Sequence, residues 1–214
     1  MKFERRYFNS NEYSFRAVEK DGNKYIEGYA SVFGVRSKLI LENGELFYEE
    51  INPGAFTEVL QRDGLDVIFN FNHNKDAVIA RTTSGTLKLS EDEIGLAFRA
   101  EIQPEISDSK DLWYRIKRGD ISENSFAFRV SENDYRWEPG EDEIPVRIID
   151  RITDLRDVSS VTYAAYPETE LTARDLKEAQ GIEEEEEIDI TQKDSLEREQ
   201  LKYKIKIIQL KNNI

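Results

Sequence analysis

Val67-Ile68-Phe69-Asn70-Phe71-Asn72-His73-Asn74 opens with a β-branched and aromatic run and ends in polar residues. Such a run reads as a buried strand, and the change of character at Asn72 sets His73 at the strand's end. Working outward, 25–33 (Tyr-Ile-Glu-Gly-Tyr-Ala-Ser-Val-Phe) reads as another strand, with Gly28 and Gly34 marking a bulge or turn. Segments 86–89 and 96–102 read as two strands joined through the acidic turn 90–95. Ser125-Phe126-Ala127-Phe128-Arg129-Val130 alternates with period two, so Ser125 opens a strand whose small and polar members face away from Phe126, Phe128 and Val130. Segments 146–155 and 158–163 supply the last strands, and Trp137-Glu138-Pro139-Gly140-Glu141 reads as a tight turn or loop.

Helices are few. Asn52-Pro53-Gly54-Ala55-Phe56 looks like a helix start, with Asn52 as N-cap and Pro53 in the first helical position. Ser107 or Asp108 can cap a second helix that carries Leu112, Trp113 and Ile116 inward and stops at Gly119, behind Lys117 and Arg118. The fold class expected is therefore α+β, mainly β.

The chain has 214 residues, with 11 Phe and 10 Tyr, enough for one substantial core plus appendages. Composition changes after Thr172. The expected organisation is a domain over 1–174, an acidic linker over 175–194 that contains five consecutive glutamates at 183–187, and an amphipathic helix over 195–214 with Leu201, Ile205 and Ile208 on one face.

Thirty Lys and Arg against 44 Asp and Glu leave a net charge of −14, the wrong sign for general attraction to nucleic-acid phosphates or anionic lipid. No secretory leader or apolar membrane span is read in the sequence. With no Cys and one His, there is no thiolate nucleophile, no disulfide framework and no two-imidazole mechanism. A cofactor and a metal site are not expected. Nucleophilic catalysis would need a Ser or Thr activated by His73 and a carboxylate orienting the ring. Ser125, 52 residues after His73, and Asp157, 32 residues further on at the start of the last core strand, are candidates. The alternatives are an exposed loop histidine, a filling strand serine and a solvated aspartate. The turn Arg81-Thr82-Thr83-Ser84-Gly85 is read as a simple turn in preference to an anion nest.

Six ordered motifs together resemble the prohead (capsid maturation) proteases of tailed bacteriophages of the HK97 type. They are Glu27-Gly28-Tyr29-Ala30-Ser31-Val32-Phe33; Glu50-Ile51-Asn52-Pro53-Gly54-Ala55-Phe56; Phe71-Asn72-His73-Asn74; Arg81-Thr82-Thr83-Ser84-Gly85-Thr86-Leu87; Arg118-Gly119-Asp120-Ile121 with Ser125-Phe126-Ala127-Phe128; and 157–167, Asp-Val-Ser-Ser-Val-Thr-Tyr-Ala-Ala-Tyr-Pro. Departures from the family pattern are Ala80, Glu123-Asn124 and Ala164.

The resemblance implies a serine endopeptidase on a small closed β-barrel flanked by helices, similar to the herpesvirus assemblin fold. Carried over by motif, it makes His73 the general base, Ser125 the nucleophile and Asp157 the third member, with Asp154, Asp150 and Asp120 as other acids near matched motifs. Backbone amides, with Arg81 as a helper, would face the oxyanion. It further implies action inside the assembling procapsid, in the host bacterial cytoplasm, on the scaffold part of the capsid protein and on the enzyme itself. No nucleic-acid or membrane partner is expected, and a homo-oligomer is left open. The rival reading is a non-catalytic capsid-assembly protein that binds through the tail helix.

Overall fold

The computed structural model describes residues 3–8, 15–37, 39–140 and 144–162. The expected linker and tail helix lie outside these residues. The chain is mainly β, with thirteen strands, two α-helices and one 3-10 turn among the described residues.

Three sheets account for every strand. The five-stranded sheet has the order β1 (Glu4–Phe8), β10 (Glu123–Arg129), β13 (Asp154–Val161), β6 (Ile68–Phe71), β7 (Val78–Arg81). A four-stranded sheet runs β2 (Arg16–Lys20), β3 (Asn23–Val32), β9 (Gly95–Ile102), β8 (Leu87–Glu91), and another runs β11 (Tyr135–Glu138), β12 (Val146–Ile149), β5 (Glu45–Ile51), β4 (Ile40–Glu42). Among the described residues only β13 with β6 and β12 with β5 pair in parallel.

None of these sheets closes on itself by backbone pairing. At the flank between β10 and β3, a side chain replaces the ladder: Asn124 Nδ2 donates to the Tyr29 carbonyl at 2.5 Å. At the other flank, Thr86 serves both neighbours, its Oγ1 accepting from Arg81 N–H and its carbonyl from Glu101 N–H. The expected closed barrel is thus interrupted where side chains take over from ladder bonds.

The phenylalanines join the layers. Phe56 lies 6.1 Å from Phe33 and 6.0 Å from Phe126 between ring centroids, while Phe69 stacks on Phe98 at 5.4 Å. Phe56, Phe69, Phe126 and Phe128 have essentially no exposed surface. The helix α2 (Ser107–Arg118) buries Leu112, Trp113 and Ile116 as its periodicity requires, and Trp113 Nε1 donates to the Tyr25 carbonyl. Gly119 ends it in the left-handed region (φ 88°).

Several local expectations are corrected. Asn52 caps no helix: Pro53 and Gly54 (φ 90°) occupy the corners of a tight turn closed by Ala55 N–H on the Asn52 carbonyl, and α1 (Thr57–Leu60) begins only after it. The N-cap of α2 is Ile106, with no side-chain cap from Ser107 or Asp108. The segment expected as a loop at Trp137 is the edge strand β11, while the expected strand 146–155 breaks into β12 and the start of β13. In β3 the unpaired residue is Ala30, between Tyr29 and Ser31. Gly28 instead admits the backbone of Phe15, since a Cβ there would meet Phe15 Cα at 2.4 Å.

A buried ionic cluster ties β1 to the β5/β12 pair. Glu49 accepts from Arg6 Nε and from Arg147 Nε, both at 2.8 Å, and Glu4 bonds both guanidiniums. Burial alone would push the Glu49 carboxyl up, but the charges of Arg6 and Arg147 overturn this and hold it below its ordinary 4.5. Glu49→Gln leaves two buried guanidiniums short of countercharge and is expected to cost about 3–5 kcal/mol at neutral pH. The folded value is depressed, so the stability carried by Glu49 is full above 4.5 and is lost as pH falls through the lower folded value. Urea unfolding at neutral and acidic pH should therefore show the variant losing less on acidification than the wild type.

Candidate active site

β6 ends at Phe71, and the chain turns at once. Asn72 and His73 both adopt left-handed backbone (φ 52° and 54°), an arrangement costing on the order of 1–3 kcal/mol per residue unless its surroundings hold it. They do so from β13. The Ser160 carbonyl accepts Asn72 N–H at 2.9 Å, Ser159 Oγ accepts His73 N–H at 2.9 Å, and Asn72 Oδ1 accepts Thr162 N–H at 3.1 Å. The result throws the imidazole back over the sheet.

Ser125 lies on the third residue of β10, inside the strand, and not at its opening as the alternation suggested. Both faces of β10 are buried, with Ser125 at 0% exposure and Phe126 at 2%. Asp157 lies within β13, as its fourth residue and not at its start.

A bulge brings these two together. Ala127 pairs with Asp157 while Phe128 pairs with Leu155, so Arg156 has no partner across the ladder. This extra residue shifts the alternation of β13 by one. Leu155 and Val158 face the core, whereas Asp157 and Ser159 share the opposite face with Ser125 and Ala127. A regular strand would alternate Leu155 and Asp157 onto the same side.

The three side chains converge. His73 Nε2 stands 2.7 Å from Ser125 Oγ, and His73 Nδ1 stands 2.7 Å from Asp157 Oδ1. The His73 and Asp157 side chains are only 5% and 7% exposed. With Nδ1–H donated to the carboxylate, Nε2 is left as an acceptor for the serine hydroxyl.

The other acids near the matched motifs are engaged elsewhere. Asp154 accepts from Arg62, Asp150 from Asn52 and Arg136, and Asp120 from Arg118. Arg81 lies on β7, the far edge of the sheet from β10, and binds Asp66. It does not reach Ser125. Among the described residues no group of three or more His, Cys, Asp or Glu could hold a metal ion, and no helix is long and apolar enough to cross a membrane.

Sequence reasoning missed the supports: Ser159, Asn72, Thr162 and the bulge residue Arg156. The legible signal was Ser159-Ser160, two hydroxyls in the apolar run 158–161, since buried polar groups require partners.

Comparison with known proteins gives the family. The family model for caudovirus prohead serine proteases matches residues 11–182. The prohead protease of Enterobacteria phage HK97 is 30% identical over 190 residues, spanning 88% of this chain and 75% of that protein. No solved structure matches. Since the family match runs through most of the chain and includes the residues that meet at His73, the chain belongs to the caudovirus prohead serine proteases.

Proposed function

We propose that this chain is a serine endopeptidase that cuts the scaffold segment of a phage capsid protein, and itself, within the assembling procapsid in the host bacterial cytoplasm. The hydrogen-bonded chain Ser125–His73–Asp157 carries this reading. Ser125 is the nucleophile, His73 the general base and Asp157 the group that fixes the ring. As Ser125 Oγ attacks a peptide carbonyl, its proton passes to His73 Nε2, and the resulting imidazolium is stabilised by the Asp157 carboxylate. His73 then gives that proton to the leaving amine, forming an acyl-enzyme. A water molecule, deprotonated by the same nitrogen, releases the acid and restores Ser125.

Burial strengthens these interactions, because little water screens them. It also means that substrate entry requires a local opening, as Ser125 has no exposed surface. The assemblin-like barrel belongs to the same reading, supported by the side-chain seams at Asn124 and Thr86.

Intact mass tests the function. Wild type and Ser125→Ala are each produced with and without the capsid protein. Wild type is expected to lose a piece beyond Thr172 and to shorten the capsid protein, while the variant leaves both whole. Identical masses for the two chains in the presence of capsid protein would overturn it.

Ser159 is expected to act as a positioning residue. Ser159→Ala orphans the His73 N–H, and a misplaced imidazole lowers kcat about 10- to 100-fold with little change in KM. Steady-state kinetics on a peptide substrate, with Ser159→Thr restoring the acceptor, checks this.

A further inference from the structure

The sheet face that carries Ser125 is unusually basic toward the other end of β10 for a chain of net charge −14. Arg5 pairs with Ala127, so it stands on the same face, two residues along from the position opposite Ser125. Arg129 follows on β10, and Arg156 is the bulged residue beside Asp157. Phe3 gathers the last two: its ring centroid is 3.9 Å from Arg129 Cζ and 5.0 Å from Arg156 Cζ.

Countercharge is short here. Asp154 is 3.6 Å from Arg129 and is shared with Arg62, whereas Arg5 and Arg156 are exposed and have no ion pair among the described residues. Arg129 Nε is buried without a hydrogen-bond partner. Guanidiniums held near one another repel unless an anion joins them, and their planar forks suit carboxylates.

We propose that Arg5, Arg129 and Arg156 form a subsite for an acidic stretch of peptide, and that its occupant in this chain is the glutamate run 183–187. The run carries five consecutive carboxylates, which complement Arg5 and Arg156, without an ion pair among the described residues, and Arg129, which shares Asp154 with Arg62. Reach permits it. Glu183 follows Thr162 by 21 residues, which can span up to ~70 Å, whereas Arg156 lies only six strand residues, ~20 Å, behind Thr162. This deepens the protease reading and rests on it only for the claim that the docked segment is substrate.

The absence of cysteine makes a direct test possible. In the full-length Ser125→Ala chain, Arg156→Cys is combined with Glu185→Cys or, as control, with Glu199→Cys. Disulfide formation is followed by intact mass and non-reducing gel under mild oxidation. The 185 pair is expected to close about tenfold faster than the 199 pair, equivalent to ~1.4 kcal/mol. That advantage should vanish near 1 M salt, where the Debye length is only about 3 Å. Arg5→Cys in place of Arg156→Cys should behave alike, which guards against misfolding of one variant. Equal rates at 185 and 199, or an advantage indifferent to salt, would overturn the subsite. Failure of the protease reading would register separately, as loss of the tail from the Ser125→Ala chain.

Discussion

Ser125→Ala is expected to lower kcat for peptide hydrolysis about 10⁶-fold, and His73→Ala by a similar factor, with the double variant little worse than either. The two residues act as one unit: the hydroxyl is a poor nucleophile without a base, and the base has nothing to activate without the hydroxyl. The 2.7 Å contact between Ser125 Oγ and His73 Nε2 is the structural basis for this non-additivity. Fold should survive Ser125→Ala, since the change removes one oxygen from a fully buried site and leaves the β10 ladder intact. Single-turnover kinetics with a peptide spanning the cleavage site, beside circular dichroism of each variant, separates loss of chemistry from loss of structure. A folded Ser125→Ala chain that cleaves at the wild-type rate would show that the nucleophile is elsewhere.

Asp157→Asn comes next, with an expected loss of about 10⁴-fold in kcat. The amide keeps the volume of the carboxylate but can donate to Nδ1 and so favours the wrong tautomer, placing the imidazole proton on the nitrogen that must accept from Ser125. It also removes the negative charge that stabilises the imidazolium. The effect should fall on kcat more than on KM, because Asp157 meets the ring and is buried. Asp154→Asn is the informative comparison. Asp154 binds Arg62 and Arg129 without touching His73, so its loss should leave kcat within a few-fold of wild type. Equal losses at 154 and 157 would remove Asp157 from the reading.

The parts of this site that could be read from residue order are those set by local chemistry or by counting. One histidine and no cysteine confined any activated nucleophile to a hydroxyl with His73 as its base. The apolar run ending at Asn72 placed that histidine at a strand end, where the structure has it. Gly119 ended its helix for a reason internal to three residues, the left-handed backbone that glycine adopts at little cost.

Expectations failed where a distant segment set the outcome. Asn52 resembled a cap, yet its side chain donates to Asp150, 98 residues away. Tyr135–Glu138 was too short and polar to announce a strand, and pairing with β12 makes it one. Alternation in 125–130 separated Ser125 and Ala127 from Phe126 and Phe128 without showing what covers each side, and both sides of β10 are buried.

Sequence alone determined which chemical groups were available and that the strongly patterned runs around Phe69, Phe98 and Phe126 are extended, because both follow from side-chain identity and near-neighbour backbone preferences. Tertiary structure alone decided that Asp157 faces Ser125. That depends on Arg156 dropping out of the ladder opposite Ala127 and Phe128, and on Ser159 and Ser160 holding two left-handed residues at Asn72 and His73. Each is a balance between a local cost and bonds made to another strand, so its sign is set only when the strands meet.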